Sequence, residues 1–159
     1  MITLGIDPGT ATTGYALIKK LKNNSFAILD FGVITTDKAL TDAARLAVLQ
    51  KDLGRLIKKY KPETAGVEKL FFEKNAKTAM TVSQARGVVL LTLEQKNIAL
   101  REFTPLQVKS IICGYGKADK RQVQFMIQKT FGLAKLPKPD DAADALGIAL
   151  CAALAKSEK

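Results

Sequence analysis

The feature that most limits the fold is a change in hydrophobic period part-way along the chain. Three short apolar stretches, residues 2–7, 13–20 and 26–36, follow one another closely. Pro8-Gly9-Thr10 stops the first, and Asn23-Asn24 supplies a turn between the second and third. Strands joined this tightly predict an antiparallel meander. The period then lengthens. Leu46, Leu49, Leu53, Leu56, Ile57 and Tyr60 follow helical spacing, with Thr41 or Asp42 as N-cap and Pro62 helping to end the helix. Residues 64–70 read as a strand, 77–95 as a helix and 98–103 as a fifth strand. Asp119 with Gln122 resembles a capping box for a helix that buries Val123, Met126, Ile127 and Phe131. An alanine-rich helix over 140–155, entered through Pro137 and Pro139, closes the chain. The order βββαβαβ followed by helices predicts an α/β fold, a mixed five-stranded sheet with helices on both faces. Ligands of such sheets sit where strands end.

The available side chains narrow the chemistry. The chain has no histidine, which excludes a Ser-His-Asp triad, a Cys-His pair and any histidine-ligated metal. Cys113 and Cys151 lie far apart in apolar company and form no CxxC pair, so they read as reduced, packed thiols. A length of 159 residues suits one domain spanning 1–159, and a 47% apolar content is enough for a core. No apolar run approaches the roughly 20 residues that span a bilayer, and the N-terminus lacks the pattern of a secretory signal. The expectation is a soluble, cytoplasmic protein. A net charge of +10 points to a polyanionic partner, because neutralising phosphates releases counterions. A solubilising surface is the plainer alternative.

Acidic residues appear where the strands end. Asp7 closes the first strand ahead of Pro-Gly, where an aspartate can equally cap a turn. Glu68 interrupts the apolar run Ala65-Gly66-Val67; it is either a ligand held beside Asp7 or an edge-strand residue facing water. Asp141 and Asp144 share one helical face in the first turns of the last helix, where the helix dipole favours negative charge. Asp140 fits ordinary acid enrichment there, whereas Asp144 is flanked by Ala142, Ala143, Ala145 and Leu146. Carboxylates gathered at one point raise each other's pKa. A divalent cation removes the conflict, and hard oxygen donors suit Mg²⁺ or Mn²⁺. A basic surface around an acidic metal pocket is the logic of a nuclease.

Five stretches, Gly5-Ile6-Asp7-Pro8-Gly9, Gly66-Val67-Glu68, Ser83-Gln84-Ala85-Arg86-Gly87-Val88, Pro105-Leu106-Gln107-Val108-Lys109 and Asp141-Ala142-Ala143-Asp144-Ala145-Leu146, carry a family likeness. In this order the chain resembles the RuvC family of Holliday junction resolvases, from residue 2 to about 153. The resemblance implies an RNase H-like fold. It also implies a crossover junction endodeoxyribonuclease, acting as a homodimer that nicks opposing strands of four-way junction DNA and leaves 5′-phosphate and 3′-hydroxyl ends. Asp7, Glu68, Asp141 and Asp144 match the family's catalytic acids, with Asp7 bridging two Mg²⁺ ions and Asp141 serving as ligand or aid to the attacking water. Lys109 and Lys120 match functional lysines near the scissile phosphate. Lys117, in the glycine-rich loop between them, and Arg121 join them as expected DNA contacts. Phe71, or its neighbour Phe72, matches an aromatic that stacks on an unpaired base. RuvA and RuvB are the implied partners. The helix bearing Met80, Val82, Ala85, Val88, Val89 and Leu93 is the expected dimer interface.

Two other classes compete. One is a different RNase H-like nuclease, of YqgF type or acting on RNA–DNA hybrids; the other is a junction-binding protein without catalysis, in which the acids are structural.

Overall fold

The computed structural model describes residues 1–69 and 76–155. Strands β1 (Ile2–Asp7), β2 (Thr12–Lys20) and β3 (Phe26–Thr35) form the expected antiparallel meander. β4 (Thr64–Glu68) and β5 (Ala99–Phe103) join in parallel on the other side of β1, giving the order β3-β2-β1-β4-β5. The sheet is mixed and five-stranded, as the change of period predicts.

Strand alternation sends side chains to two separate cores. Leu4, Ile6, Leu17, Ala65 and Val67 pack beneath α1 (Asp42–Tyr60) and α2 (Ala76–Gln95). Ala16, Ile18 and Phe103 pack beneath α3 (Pro105–Cys113), α4 (Lys120–Phe131) and α5 (Asp140–Leu154). Helices therefore cover both faces.

Local chemistry explains the helix starts. Thr41 accepts from Ala44 N at α1, and Asp119 and Gln122 complete a reciprocal capping box at α4. Hydrophobic period alone does not reveal α3, whose signal is a second box: Thr104 and Gln107 cap each other across Pro105 at the first helical position. Ile127 is buried as expected, but Met126 is 37% exposed. The α4 stripe that meets the core is narrower than its apolar content, and Val123 and Phe131 pack only partly. On α2, Ala85, Val89 and Leu93 are fully buried in the monomer core with Val88 against them. These three face the monomer core, whereas Met80 on the same helix is 68% exposed and Val82 is partly exposed.

The element that positions everything else is α5. Its segment from Ala142 to Ala153 is buried apart from Asp144, and it lies directly on the sheet because three neighbouring strands present glycine to it. A Cβ on Gly5 of β1 would stand 2.1 Å from the Ala145 carbonyl oxygen, one on Gly14 of β2 2.0 Å from that of Asp141, and one on Gly66 of β4 2.8 Å from that of Ile148. Helix backbone occupies the space where side chains would be, and small alanines complete the contact.

This close approach predicts a contrast between two glycine substitutions in denaturant titrations. Gly5→Ala should destabilise by about 3 kcal/mol, the upper part of the usual overpacking range. Gly54 lies in α1, where an added Cβ would meet nothing within 4 Å. Gly54→Ala should therefore gain up to about 1 kcal/mol from helix propensity. Equal effects would mean that α5 does not depend on bare backbone beneath it.

Candidate active site

The glycine-faced contact carries the acids to one end of the sheet. Gly5 is paired with Gly66, and Ile6 with Val67, in the parallel β1–β4 ladder. Asp7 and Glu68 follow at the next position, on the face that α5 covers. Asp7 is paired across the antiparallel ladder with Gly14, the residue against which the Asp141 backbone rests. One turn further along α5 comes Asp144. Two strand ends and the first turns of a helix thus present four carboxylates to one edge.

The turn after Asp7 is fixed by its own hydrogen bonds. Thr13 Oγ1 donates to the Gly9 carbonyl at 2.6 Å and accepts from Gly9 N at 3.3 Å. The aspartate that the sequence leaves open as a turn cap is instead held by a turn that caps itself through Thr13.

Electrostatics mark Asp7 as the centre. Burial, followed by the charges of Glu68, Asp144 and Asp141, pushes its carboxyl from an ordinary 3.8 up to about 7. Glu68 is raised by burial and then by Asp144. Asp144 is also raised, chiefly by burial, although Lys120 opposes the shift. Such groups resist ionising together unless positive charge is brought to them.

Part of that charge is already present. Lys120 Nζ stands 3.2 Å from Asp140 Oδ2 and 3.6 Å from Asp144 Oδ2. Asp140 also faces Lys138 at 3.9 Å. It therefore belongs to a lysine-paired rim, which separates it from Asp141. A cavity of about 220 Å³ brings Glu68, Asp144, Lys109 and Lys120 together over an apolar floor of Val108 and Ile148. Two of the expected DNA-binding lysines thus border the carboxylates. Arg121 does not; it lines a neighbouring groove with Cys113, Tyr115 and Phe125. Lys117 is exposed on the loop between α3 and α4. Phe71 and Phe72 lie outside the described residues. Both cysteines are free, and burial pushes the Cys151 thiol up to about 12.

The donor set fits a hard divalent cation: four carboxylates, no histidine, and a central acid that burial and its acidic neighbours push up to about 7. Among the described residues, no three acidic or thiol side chains already converge on one metal position. The backbone brings the acids to one edge without drawing the side chains onto one point.

A mixed sheet with carboxylates at the ends of two adjacent strands and on a crossing helix is the arrangement of RNase H-like nucleases. The profile of crossover junction endodeoxyribonuclease RuvC matches residues 3–152, and the chain belongs to that family. It is 48% identical over 157 residues to the RuvC of Caldicellulosiruptor saccharolyticus, covering 99% of this chain and 95% of that one. It is 52% identical over 150 residues to that of Fusobacterium nucleatum, covering 94% and 78%. Among solved structures, Thermus thermophilus RuvC matches with a TM-score of 0.87 at 29% identity, covering 95% of this chain and 92% of that one. The same protein in complex with a Holliday junction substrate matches at 0.89, with the same identity and coverage. The family's nucleases are metal-dependent.

Because folding raises the pKa of Asp7, the folded chain binds its proton more tightly than the unfolded chain. The stability this contributes is full below about pH 4 and is lost as pH rises through about 7. In EDTA, the Tm of the wild type should therefore fall relative to that of Asp7→Asn between pH 5 and pH 8, and a divalent ion should narrow the gap. Parallel Tm curves for the two proteins would remove Asp7 from the centre of the cluster.

Proposed function

We propose that this chain is a Holliday junction resolvase, making paired symmetric nicks in four-way junction DNA during recombination and repair. The observation that carries this reading is the carboxylate edge, Asp7, Glu68, Asp141 and Asp144, opening beside Lys109 and Lys120 in a chain of net charge +10. Residues 1–159 act as one nuclease domain. The four acids would hold Mg²⁺, two ions per site, with Mn²⁺ as a substitute. The metal would lower the pKa of an attacking water and stabilise the leaving oxygen. Asp7, whose carboxyl feels the charges of the other three, would be the central ligand. Asp141, whose backbone rests on Gly14, would serve as a ligand or as an aid to the attacking water. Lys120, 3.6 Å from Asp144, would contact the scissile phosphate when the acids hold a cation. Lys109 shares the same cavity, while Lys117 and Arg121 extend the basic rim along the DNA. Departure of the 3′ oxygen leaves 5′-phosphate and 3′-hydroxyl ends.

One cluster makes one cut, and symmetric resolution needs two, so a two-fold homodimer matches the junction. Support comes from the outward stripe of α2. Met80 is 68% and Leu91 52% exposed, with Gln84 and Gly87 between them at helical spacing. A Cβ added to Gly87 would meet nothing within 4 Å, which leaves room for close approach of a second helix. The reading extends to RuvA and RuvB as the proteins that deliver junctions, and to the cytoplasm as the place of action. Among the described residues no helix is long and apolar enough to cross a membrane.

Two experiments test this reading. A mobile four-way junction, a linear duplex and an RNA–DNA hybrid are offered to the protein with Mg²⁺. The junction should be cut preferentially, and Asp7→Asn should abolish cleavage while junction binding persists or tightens. Preferred cutting of the hybrid, or nicking by Asp7→Asn, would overturn the assignment. Separately, Leu91→Glu should convert a dimer to a monomer in sedimentation, with loss of paired nicking. An unchanged mass would move the interface elsewhere.

A further inference from the structure

Glu68 is approached from both faces of the sheet. Its carboxylate feels Asp144 on the α5 side. From the opposite side, α2 sends Arg86 over the end of β4. Arg86 Nε donates to the main-chain carbonyl of Glu68 at 3.3 Å. Its Nη2 arm forms a hydrogen-bonded ion pair with Glu102 of β5, a residue that lies opposite Val67 in the β4–β5 ladder. The pair is largely shielded, with side chains 20% and 32% exposed. A charge taken so far out of water needs the partners it has.

The same helix holds the other catalytic strand. Thr10 Oγ1, three residues past Asp7, donates to the Thr81 carbonyl of α2 at 2.7 Å. The turn after Asp7 and the end of β4 are thus both tied to one stretch of α2, five residues apart. That stretch also carries Gln84 and Gly87 on its outward face.

We propose that Arg86 is a positioning residue for the metal site, clamping the end of β4 so that Glu68 keeps its place beside Asp7. The proposal rests on the reading above that the carboxylates hold a divalent ion. Arginine suits the task because its planar fork serves two acceptors at fixed angles, the Glu68 carbonyl and the Glu102 carboxylate. A lysine offers a point charge that can satisfy Glu102 and leave the Glu68 carbonyl without its second arm. Groups that orient a metal ligand from behind typically matter by about 10–100-fold in metal affinity. Because Arg86 projects from the helix proposed for self-association, it also links that face mechanically to the carboxylates.

The test is Mn²⁺ binding to the full chain without DNA, by calorimetry or by the loss of free-ion electron paramagnetic resonance signal. Wild type, Arg86→Lys, Arg86→Gln, Glu102→Gln and Asp7→Asn are compared, each with a melting curve. Arg86→Gln should weaken Mn²⁺ about tenfold or more, and Arg86→Lys should weaken it while retaining most of its Tm. Glu102→Gln, which leaves the contact with Glu68 in place, should lose Tm with less effect on Mn²⁺. Junction cleavage by Arg86→Lys should recover as Mg²⁺ is raised, a shift in metal requirement rather than in maximal rate. Wild-type Mn²⁺ affinity in folded Arg86→Lys would overturn the proposal and leave Arg86 a structural ion pair. Absence of Mn²⁺ binding by the wild type, or undiminished binding by Asp7→Asn, would instead overturn the metal reading on which it rests.

Discussion

The structure depends on helix backbone lying against sheet backbone. Gly5, Gly14 and Gly66 strip side chains from three adjacent strands where α5 crosses, and Ala145, Ala149 and Ala152 give the helix a thin underside. Close packing of this kind tolerates little change in volume. It also does what a looser interface could not: it sets the first turns of α5 within electrostatic reach of two strand ends. Asp141 rests on Gly14, and Gly14 is the ladder partner of Asp7. The position of an acid on a helix is thereby fixed by the absence of a side chain on a strand.

Charge at the site is arranged as a conflict with a local remedy. Burial and three acidic neighbours raise Asp7 to about 7, and Lys120 is shared between Asp144 and Asp140. Lys120 is more than half exposed and anchored at the first position of α4, so it can change partners without a change in fold. Lys120 offsets part of the repulsion between the carboxylates around Asp144. On the proposed reading, a cation among the acids would free the same side chain for phosphate. The basic rim and the acidic pocket are coupled parts of one electrostatic arrangement.

Most of the architecture is legible in the sequence because it is written in period and punctuation. The 2–7 strand, the capped helix ending at Tyr60 and the Asp119–Gln122 box all show a local pattern that the fold respects. The helix at 105–113 escapes that reading, although Thr104-Pro105 with Gln107 signals its start; a nine-residue helix offers too few turns for periodicity to stand out. The α2 residues expected at the interface are in part core residues, because apolar character on several sides of a helix does not say which side meets the sheet. Only the fold separates buried Ala85, Val89 and Leu93 from outward Met80 and Leu91. The four acids can be nominated from their surroundings, but their arrival at one edge of the sheet follows from the glycine contacts, which are long-range. Arg86 cannot be found by local reasoning, since its partners Glu68 and Glu102 lie on two different strands.

The two halves of the carboxylate edge obey different geometries, and this governs where the chain can change length. Asp141 and Asp144 are spaced by a helix, so inserting one residue between Gly14's contact and Gly66's contact would rotate everything beyond it by about 100°. Asp7 and Glu68 are spaced by neighbouring strands, roughly 4.8 Å apart, and a one-residue slip would send either to the opposite face. The β2–β3 turn at Asn23 and Asn24 lies at the far end of the sheet, where Lys20 N meets the Met1 carbonyl. Residues can be added or lost there without altering the alignment of the acids. Length variation among relatives is therefore expected to collect at that hairpin and to avoid α5.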